Sequence, residues 1–144
     1  MPRLGKSKRW WGSADRRSLY RQVGHIQLRG SRTRELADAE IFLSVLTIGE
    51  IRRGIESIRR RDPDAATALD SWLARVVEAH RDRIIGIDRA IAEEWGRLNV
   101  PDPLPVVDGL LAATGKVTGL TLATRNVSDV ESTGVTVFNP FGNR

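Results

Sequence analysis

From position 41 onward, short apolar runs alternate with stretches in which apolar residues recur every three or four positions. The short runs lack polar alternation, which is typical of strands buried on both faces of a parallel sheet. The longer stretches have the spacing of helices that pack by one face. This pattern predicts strands at 41–46, 84–87, 120–124 and 135–138. It predicts helices at 47–60, around an apolar stripe at 68–77, at 89–98 and at 106–117.

Local signals mark where several of these helices begin and end. Thr47 and Glu50 have the Thr-x-x-Glu spacing of a capping box, which predicts that the first helix opens there. Asp88 is a candidate N-cap for the helix 89–98, and Gly119 is a candidate C-cap just after the helix 106–117. Strands that alternate with helices predict an α/β fold with a mostly parallel sheet and helices on both faces.

The first 36 residues differ from the rest of the chain in charge and in their lack of a regular hydrophobic pattern. They contain ten Lys and Arg residues against two acids, a charge of +8, whereas residues 37–144 carry 13 basic and 16 acidic residues, a charge of −3. Glycines interrupt every candidate element, although 25–28 could form a short strand and 16–23 a turn or two of helix. We therefore expect a basic, poorly ordered leader at 1–36 and one domain at 37–144. The alternative is an arm that attracts nucleic acid through phosphate contacts.

Composition excludes several classes of protein. The chain has no cysteine, which excludes disulfides, thiolate catalysis and Cys-zinc sites and fits a reducing cytoplasm. No apolar run reaches the roughly 18 residues of a membrane span, and no apolar stretch follows the basic N-terminus as in a secretory signal. We therefore expect a cytoplasmic protein that does not enter a membrane.

Four polar residues are predicted to lie near the carboxyl ends of the strands, where open parallel sheets bind ligands. Glu50 follows the first strand, Asp108 lies in the first turn of the helix 106–117, and Asn126 and Asp129 follow the strand 120–124. Each also has a structural explanation, as a capping acid, a first-turn acid or a turn residue. Taken together, they favour a site at one sheet edge.

Oxygen ligands without His or Cys suit a hard cation such as Mg²⁺ or Mn²⁺. Several carboxylates at one place would repel one another, so such a cluster implies a cation. Ser44 and Thr124 offer hydroxyls nearby, but local backbone caps are the simpler interpretation. His25 and His80 lie on unrelated segments, so we expect no His-based metal site or triad.

Four segments together resemble VapC-type PIN domains of the FitB-like subgroup. Residues 43–55 (Leu-Ser-Val-Leu-Thr-Ile-Gly-Glu-Ile-Arg-Arg-Gly-Ile) resemble the segment of the family's second acid. Residues 105–114 (Pro-Val-Val-Asp-Gly-Leu-Leu-Ala-Ala-Thr) are similar to the third-acid helix, and 119–129 to the fourth-acid segment. The ending 137–141 (Val-Phe-Asn-Pro-Phe) resembles the subgroup's last strand and its Asn-Pro-aromatic close.

The resemblance implies a three-layer α/β/α sandwich and a Mg²⁺- or Mn²⁺-dependent ribonuclease toxin of a type II toxin–antitoxin system. It also implies a VapB-type antitoxin as partner, RNA as substrate and the possibility of a homodimer. Glu50 falls on the second acid and Asp108 on the third. Asn126 falls on the fourth, where the family often has Asp, and Asp129 is placed to supply the carboxylate that Asn126 lacks.

The main departure from the family is at the front of the chain. Family members begin with a mid-sheet strand that ends in Asp-Thr-Asn, whose Asp is the first metal ligand. Residues 1–36 contain no such segment, so we expect that strand to be missing or replaced, and we hypothesise that 1–36 are not the family's N-terminus. Two alternatives to an active ribonuclease follow: a non-catalytic PIN remnant that binds an antitoxin, and a nucleic-acid-binding module that uses the basic arm.

Overall fold

The computed structural model describes residues 24–29 and 40–139, which contain five strands in a single sheet. Along the sheet the order is β3-β2-β1-β4-β5. The strands are β1 (His25–Arg29), β2 (Glu40–Ser44), β3 (Ile84–Ile85), β4 (Thr121–Thr124) and β5 (Val137–Phe138). The strand that comes first along the chain therefore lies in the middle of the sheet.

Five helices accompany the strands in the described part of the chain. They are α1 (Val45–Arg59), α2 (Pro63–Ala79), α3 (Arg89–Leu98), α4 (Val106–Thr118) and the four-residue α5 (Val127–Val130). Short 3₁₀ turns precede β3 and follow α5. None of the described helices is long and apolar enough to cross a membrane.

Strand direction distinguishes β1 from the rest of the sheet. β1 is antiparallel to both of its neighbours, β2 and β4, while β3 is parallel to β2 and β5 is parallel to β4. Four of the five strands consequently run the same way and β1 runs against them. The expectation of a mostly parallel α/β sheet is confirmed, with a reversed strand at its centre.

Helices cover both faces of the sheet, as adjacent residues of β4 show. Ala123 belongs to a buried cluster with Ile26 and Leu28 of β1 and with side chains of α1 and α2, among them the fully buried Trp72. Leu122 faces the other way and packs with residues of α4 and α5. Since neighbouring strand residues point to opposite faces, the fold has three layers, α/β/α.

The central strand lies inside the segment that the sequence analysis set apart as a leader. Ile26 and Leu28 are 1% exposed and Gln27 is fully buried, so 25–29 belong to the core of the sheet. The expectation of poor order at 1–36 does not hold for these five residues, and the suggested short strand at 25–28 is confirmed. The suggested helical turn at 16–23 lies outside the described residues.

The start of α1 differs from the predicted capping box. The helix begins at Val45, and its N-cap is Ser44, whose hydroxyl accepts a hydrogen bond from the Leu46 N–H. Thr47 is therefore inside the first turn, and its hydroxyl contacts His25 Nδ1 instead of the helix backbone. The capping-box prediction was wrong, because a serine at the strand end already satisfies the helix terminus and releases Thr47 and Glu50 for other contacts.

Other predicted boundaries agree closely with the structure. Asp88 caps α3 by accepting a hydrogen bond from the Ile91 N–H. Gly119 ends α4 with φ of 75°, a left-handed conformation that favours glycine. Asp108 lies in the first turn of α4.

Gly115 marks the closest approach of α4 to the end of the sheet. A Cβ at this position would lie 2.6 Å from Cγ2 of Val135 and 3.1 Å from the carbonyl oxygen of Leu120. We predict that Gly115→Ala lowers the free energy of unfolding by about 1–3 kcal/mol, because neither the β-branched side chain nor the backbone can move away without cost. Urea denaturation measures the effect.

Gly96 is the matched control. It is also a helix-interior glycine, but a Cβ there would meet nothing within 4 Å. Gly96→Ala should therefore raise the free energy of unfolding by about 0.5–1 kcal/mol through lower chain entropy in the unfolded state. Equal effects of the two substitutions would contradict the close packing of α4.

Candidate active site

Three carboxylate residues follow the carboxyl ends of parallel strands or begin the helix beside them. Glu50 lies in α1, which starts directly after β2, and Asp129 lies in α5, which starts shortly after β4. Asp108 is in the first turn of α4, and both Glu50 and Asp108 are half-buried. The edge of the sheet at which β2 and β4 end is therefore the acidic one.

His25 lies at the same edge because β1 runs in reverse. As the first residue of β1 it pairs with Thr124, the last residue of β4. Its Nε2 is 2.9 Å from Oε1 of Glu50, and its Nδ1 is 3.1 Å from the hydroxyl of Thr47. The hydrogen bond with His25 lowers the pKa of the Glu50 carboxyl, outweighing the partial burial that would raise it.

The pKa of Asp108 responds to burial and to the other two carboxylates. Burial raises it above its ordinary value, and the negative charge of Asp129 raises it further, with a smaller contribution from Glu50. His25 acts in the opposite direction. Asp108 therefore lies within the electrostatic influence of both of the other acids.

Asn126 and the two nearby hydroxyl residues have more ordinary surroundings. Asn126 is exposed at the N-cap of α5, and its side chain makes no capping hydrogen bond. Its backbone N–H donates to the hydroxyl of Thr124, and the hydroxyl of Ser44 caps α1. Thr124 and Ser44 therefore act as local caps, as expected from the sequence. The ligand role of Asn126 stays a prediction.

The donor set fits a hard divalent cation in its chemistry. Carboxylate oxygens are the ligands that Mg²⁺ and Mn²⁺ prefer, and a cation would relieve the repulsion that raises the pKa of Asp108. Within residues 24–29 and 40–139, no group of three or more His, Asp or Glu side chains is arranged so that it could hold a metal ion. Mg²⁺ requires only one or two carboxylates, with water and substrate phosphate completing its shell.

His25 is the site residue that sequence reasoning missed. A lone histidine between two glycines, in a segment rich in arginine, gave no periodic signal. The alternation of buried Ile26 and Leu28 was the available clue, because it indicates a strand. Its position beside Glu50 depends on the direction of that strand within the sheet, which five residues alone do not reveal.

The fold has three layers, α/β/α, and acidic residues lie near one edge of its sheet. Comparison with known proteins shows the family to which such a domain belongs. The PIN domain family matches residues 19–128. The chain therefore belongs to the PIN-domain family, whose members are in general nucleases. The match begins before β1, so it includes part of the segment that we separated as a leader.

Two solved structures resemble the chain, and both are Fit proteins, which confirms the expected likeness to the FitB-like subgroup. The first is the crystal structure of FitAcB from Neisseria gonorrhoeae, whose sequence is 26% identical to this one. The match has a TM-score of 0.65 and covers 71% of this chain and 76% of that chain. The second is a structure of FitAB bound to an IR36 DNA fragment, which is 23% identical in sequence and therefore supports the fold alone. The match has a TM-score of 0.62 and covers 72% of this chain and 75% of that chain. No curated protein sequence matches the chain.

The perturbed pKa of Asp108 predicts that this residue destabilises the fold. Since the pKa is raised in the folded state, ionisation costs stability as pH rises above the ordinary range of an aspartate. Asp108→Asn should therefore raise the melting temperature at neutral pH in buffer with a chelator. The gain should vanish at acidic pH, where the wild-type carboxyl is protonated in the folded and unfolded states alike.

Asp102→Asn is the control for this measurement, because Asp102 is exposed in the loop before α4. It should leave the melting temperature unchanged across the same pH range. A lower melting temperature for Asp108→Asn at neutral pH would contradict the mutual repulsion of the acids.

Proposed function

We propose that this chain is a ribonuclease of the toxin–antitoxin type that cleaves RNA phosphodiester bonds with Mg²⁺ or Mn²⁺. The observation that carries the proposal is the placement of three acids in a PIN domain: Glu50 and Asp129 lie on the helices that follow β2 and β4, and Asp108 lies in the first turn of α4. Burial and the negative charges of Asp129 and Glu50 raise the pKa of the half-buried Asp108, and acids perturbed in this way are typical of functional sites.

The acids differ in how they would serve a cation. Asp108 and Asp129 are the proposed direct ligands, and the negative charge of Asp129 is one of the causes that raise the pKa of Asp108. Glu50 has one oxygen engaged by His25 and would contribute the other. Asn126 would add its carbonyl oxygen, or hold a water, without adding charge. When bound, the cation supplies a water of lowered pKa and stabilises charge on the phosphate oxygens.

An antitoxin partner is part of the proposal. The similar solved structures are of FitAcB and FitAB, and we infer from this likeness that a small antitoxin binds the chain and blocks the acidic edge. The homodimer stays a prediction from the family resemblance, and the cytoplasmic location stays a prediction from the composition of the chain.

We predict that Glu50→Gln and Asp108→Asn each lower metal-dependent RNA cleavage by about 100-fold or more while leaving the fold intact. Loss of one carboxylate removes both a ligand and the charge that holds the cation. Cleavage of a labelled RNA in Mn²⁺, with chelator as the blank, measures activity, and circular dichroism checks the fold.

Asp102→Asn again provides a matched control and should cleave like the wild type. Full activity of both Glu50→Gln and Asp108→Asn would refute the assignment of the site.

A second function is favoured by one observation: the sequence has no Asp-Thr-Asn segment, and the side chain beside Glu50 at this edge is the imidazole of His25. This favours a PIN remnant that binds an antitoxin without cleaving RNA. We expect the product of a neighbouring antitoxin gene to co-elute with the chain under either function. Co-elution without any cleavage in Mn²⁺ would select the remnant, and cleavage that requires Asp108 would exclude it.

A further inference from the structure

The imidazole of His25 is held at two points by residues of α1. Nε2 contacts Oε1 of Glu50 at 2.9 Å, and Nδ1 contacts the Thr47 hydroxyl at 3.1 Å. An ionised carboxylate can only accept, so Nε2 carries a proton and donates it. The Thr47 hydroxyl can donate or accept and therefore satisfies Nδ1 in either state of the ring.

These contacts favour an indirect role for His25 in the observed arrangement. Both ring nitrogens have partners, and the side chain is only 10% exposed. A general acid or base needs a nitrogen that reaches the substrate or a water. The function of the ring must therefore act through the residues that it contacts.

The contact with Glu50 fixes one carboxylate oxygen and leaves the other available. Thr47 and Glu50 lie three positions apart on α1, so they are neighbours on one helix face. The imidazole joins both of them to the central strand and limits the conformations open to the Glu50 side chain. Within the described ranges 24–29 and 40–139, Oε2 of Glu50 accepts no hydrogen bond, whereas Oε1 is occupied.

Carboxylates that bind metal ions are commonly oriented by a hydrogen bond to their second oxygen, and loss of such a bond weakens metal binding. We propose that His25 is a positioning residue that holds Glu50 so that Oε2 serves a divalent cation, an inference that rests on the proposed function. His25 thus supports a ligand instead of being one.

Titration of the full chain with Mn²⁺ at one fixed pH, followed by electron paramagnetic resonance of free Mn²⁺, tests this role. We expect His25→Ala to raise the Kd for Mn²⁺ about 10-fold or more. His25→Gln, whose amide can donate to Glu50, should recover part of the affinity. Thr47→Val removes only the second anchor of the ring and should weaken binding less than His25→Ala.

A double-mutant cycle separates positioning from general loss of stability. If His25 acts through Glu50, adding His25→Ala to Glu50→Gln should cause no further loss of Mn²⁺ affinity. His80→Ala is the matched control, because His80 is also buried but bonds to the carbonyl of Val76 in its own helix. It should change stability and leave the Kd for Mn²⁺ unaltered.

The outcomes distinguish the two proposals. Mn²⁺ binding that Asp108→Asn abolishes but His25→Ala leaves unchanged overturns the role of His25 and retains the proposed function. Tighter binding by His25→Ala also overturns it, because the imidazole would then compete with the cation. Absence of any Asp108-dependent Mn²⁺ binding in the wild type overturns both. If His25→Ala does not fold, His25→Gln and Thr47→Val decide, and wild-type affinity in both refutes the role.

Discussion

The structure depends on the hydrogen bonding of a strand at the middle of the sheet. β2 and β4 each present a row of backbone groups toward the centre, and these groups cannot be left unpaired inside a core. The segment His25–Arg29 fills the gap by pairing with both neighbours. Its Ile26 and Leu28 also complete the apolar layer beneath α1 and α2. Without this strand, the sheet would divide into two pairs of strands.

The direction of the central strand also determines the chemistry of the acidic edge. An antiparallel strand brings its first residue to the edge at which parallel neighbours end, so His25 arrives beside Glu50. A hydrogen-bond donor and acids of like charge then occupy one site, in which Glu50 has a lowered pKa and Asp108 a raised one. The pKa values of the two carboxyls thus shift in opposite directions. Glu50 accepts a hydrogen bond from His25, whereas Asp108 is affected mainly by burial and by repulsion from other acids.

Most of the fold from β2 onward could be predicted, because each element carries its own signal. The stripe on α2, the Asp88 cap and the Gly119 end depend on neighbours within a few residues. The capping box failed for the opposite reason. The pattern was present in Thr47 and Glu50, but the N-cap of the helix is Ser44, at the end of the strand. Thr47 and Glu50 therefore contact His25 instead of capping the helix.

The sequence by itself determined the kind of domain and pointed to three candidate acids, since helical spacing, buried strands and family segments are local properties of the chain. It did not determine which segment would complete the sheet, because that choice depends on the unpaired edges of strands distant in sequence. Tertiary structure alone decided that 25–29 would pair in reverse. That reversal places an imidazole, not a carboxylate, against Glu50, since the first residue of an antiparallel strand lies where its neighbours end.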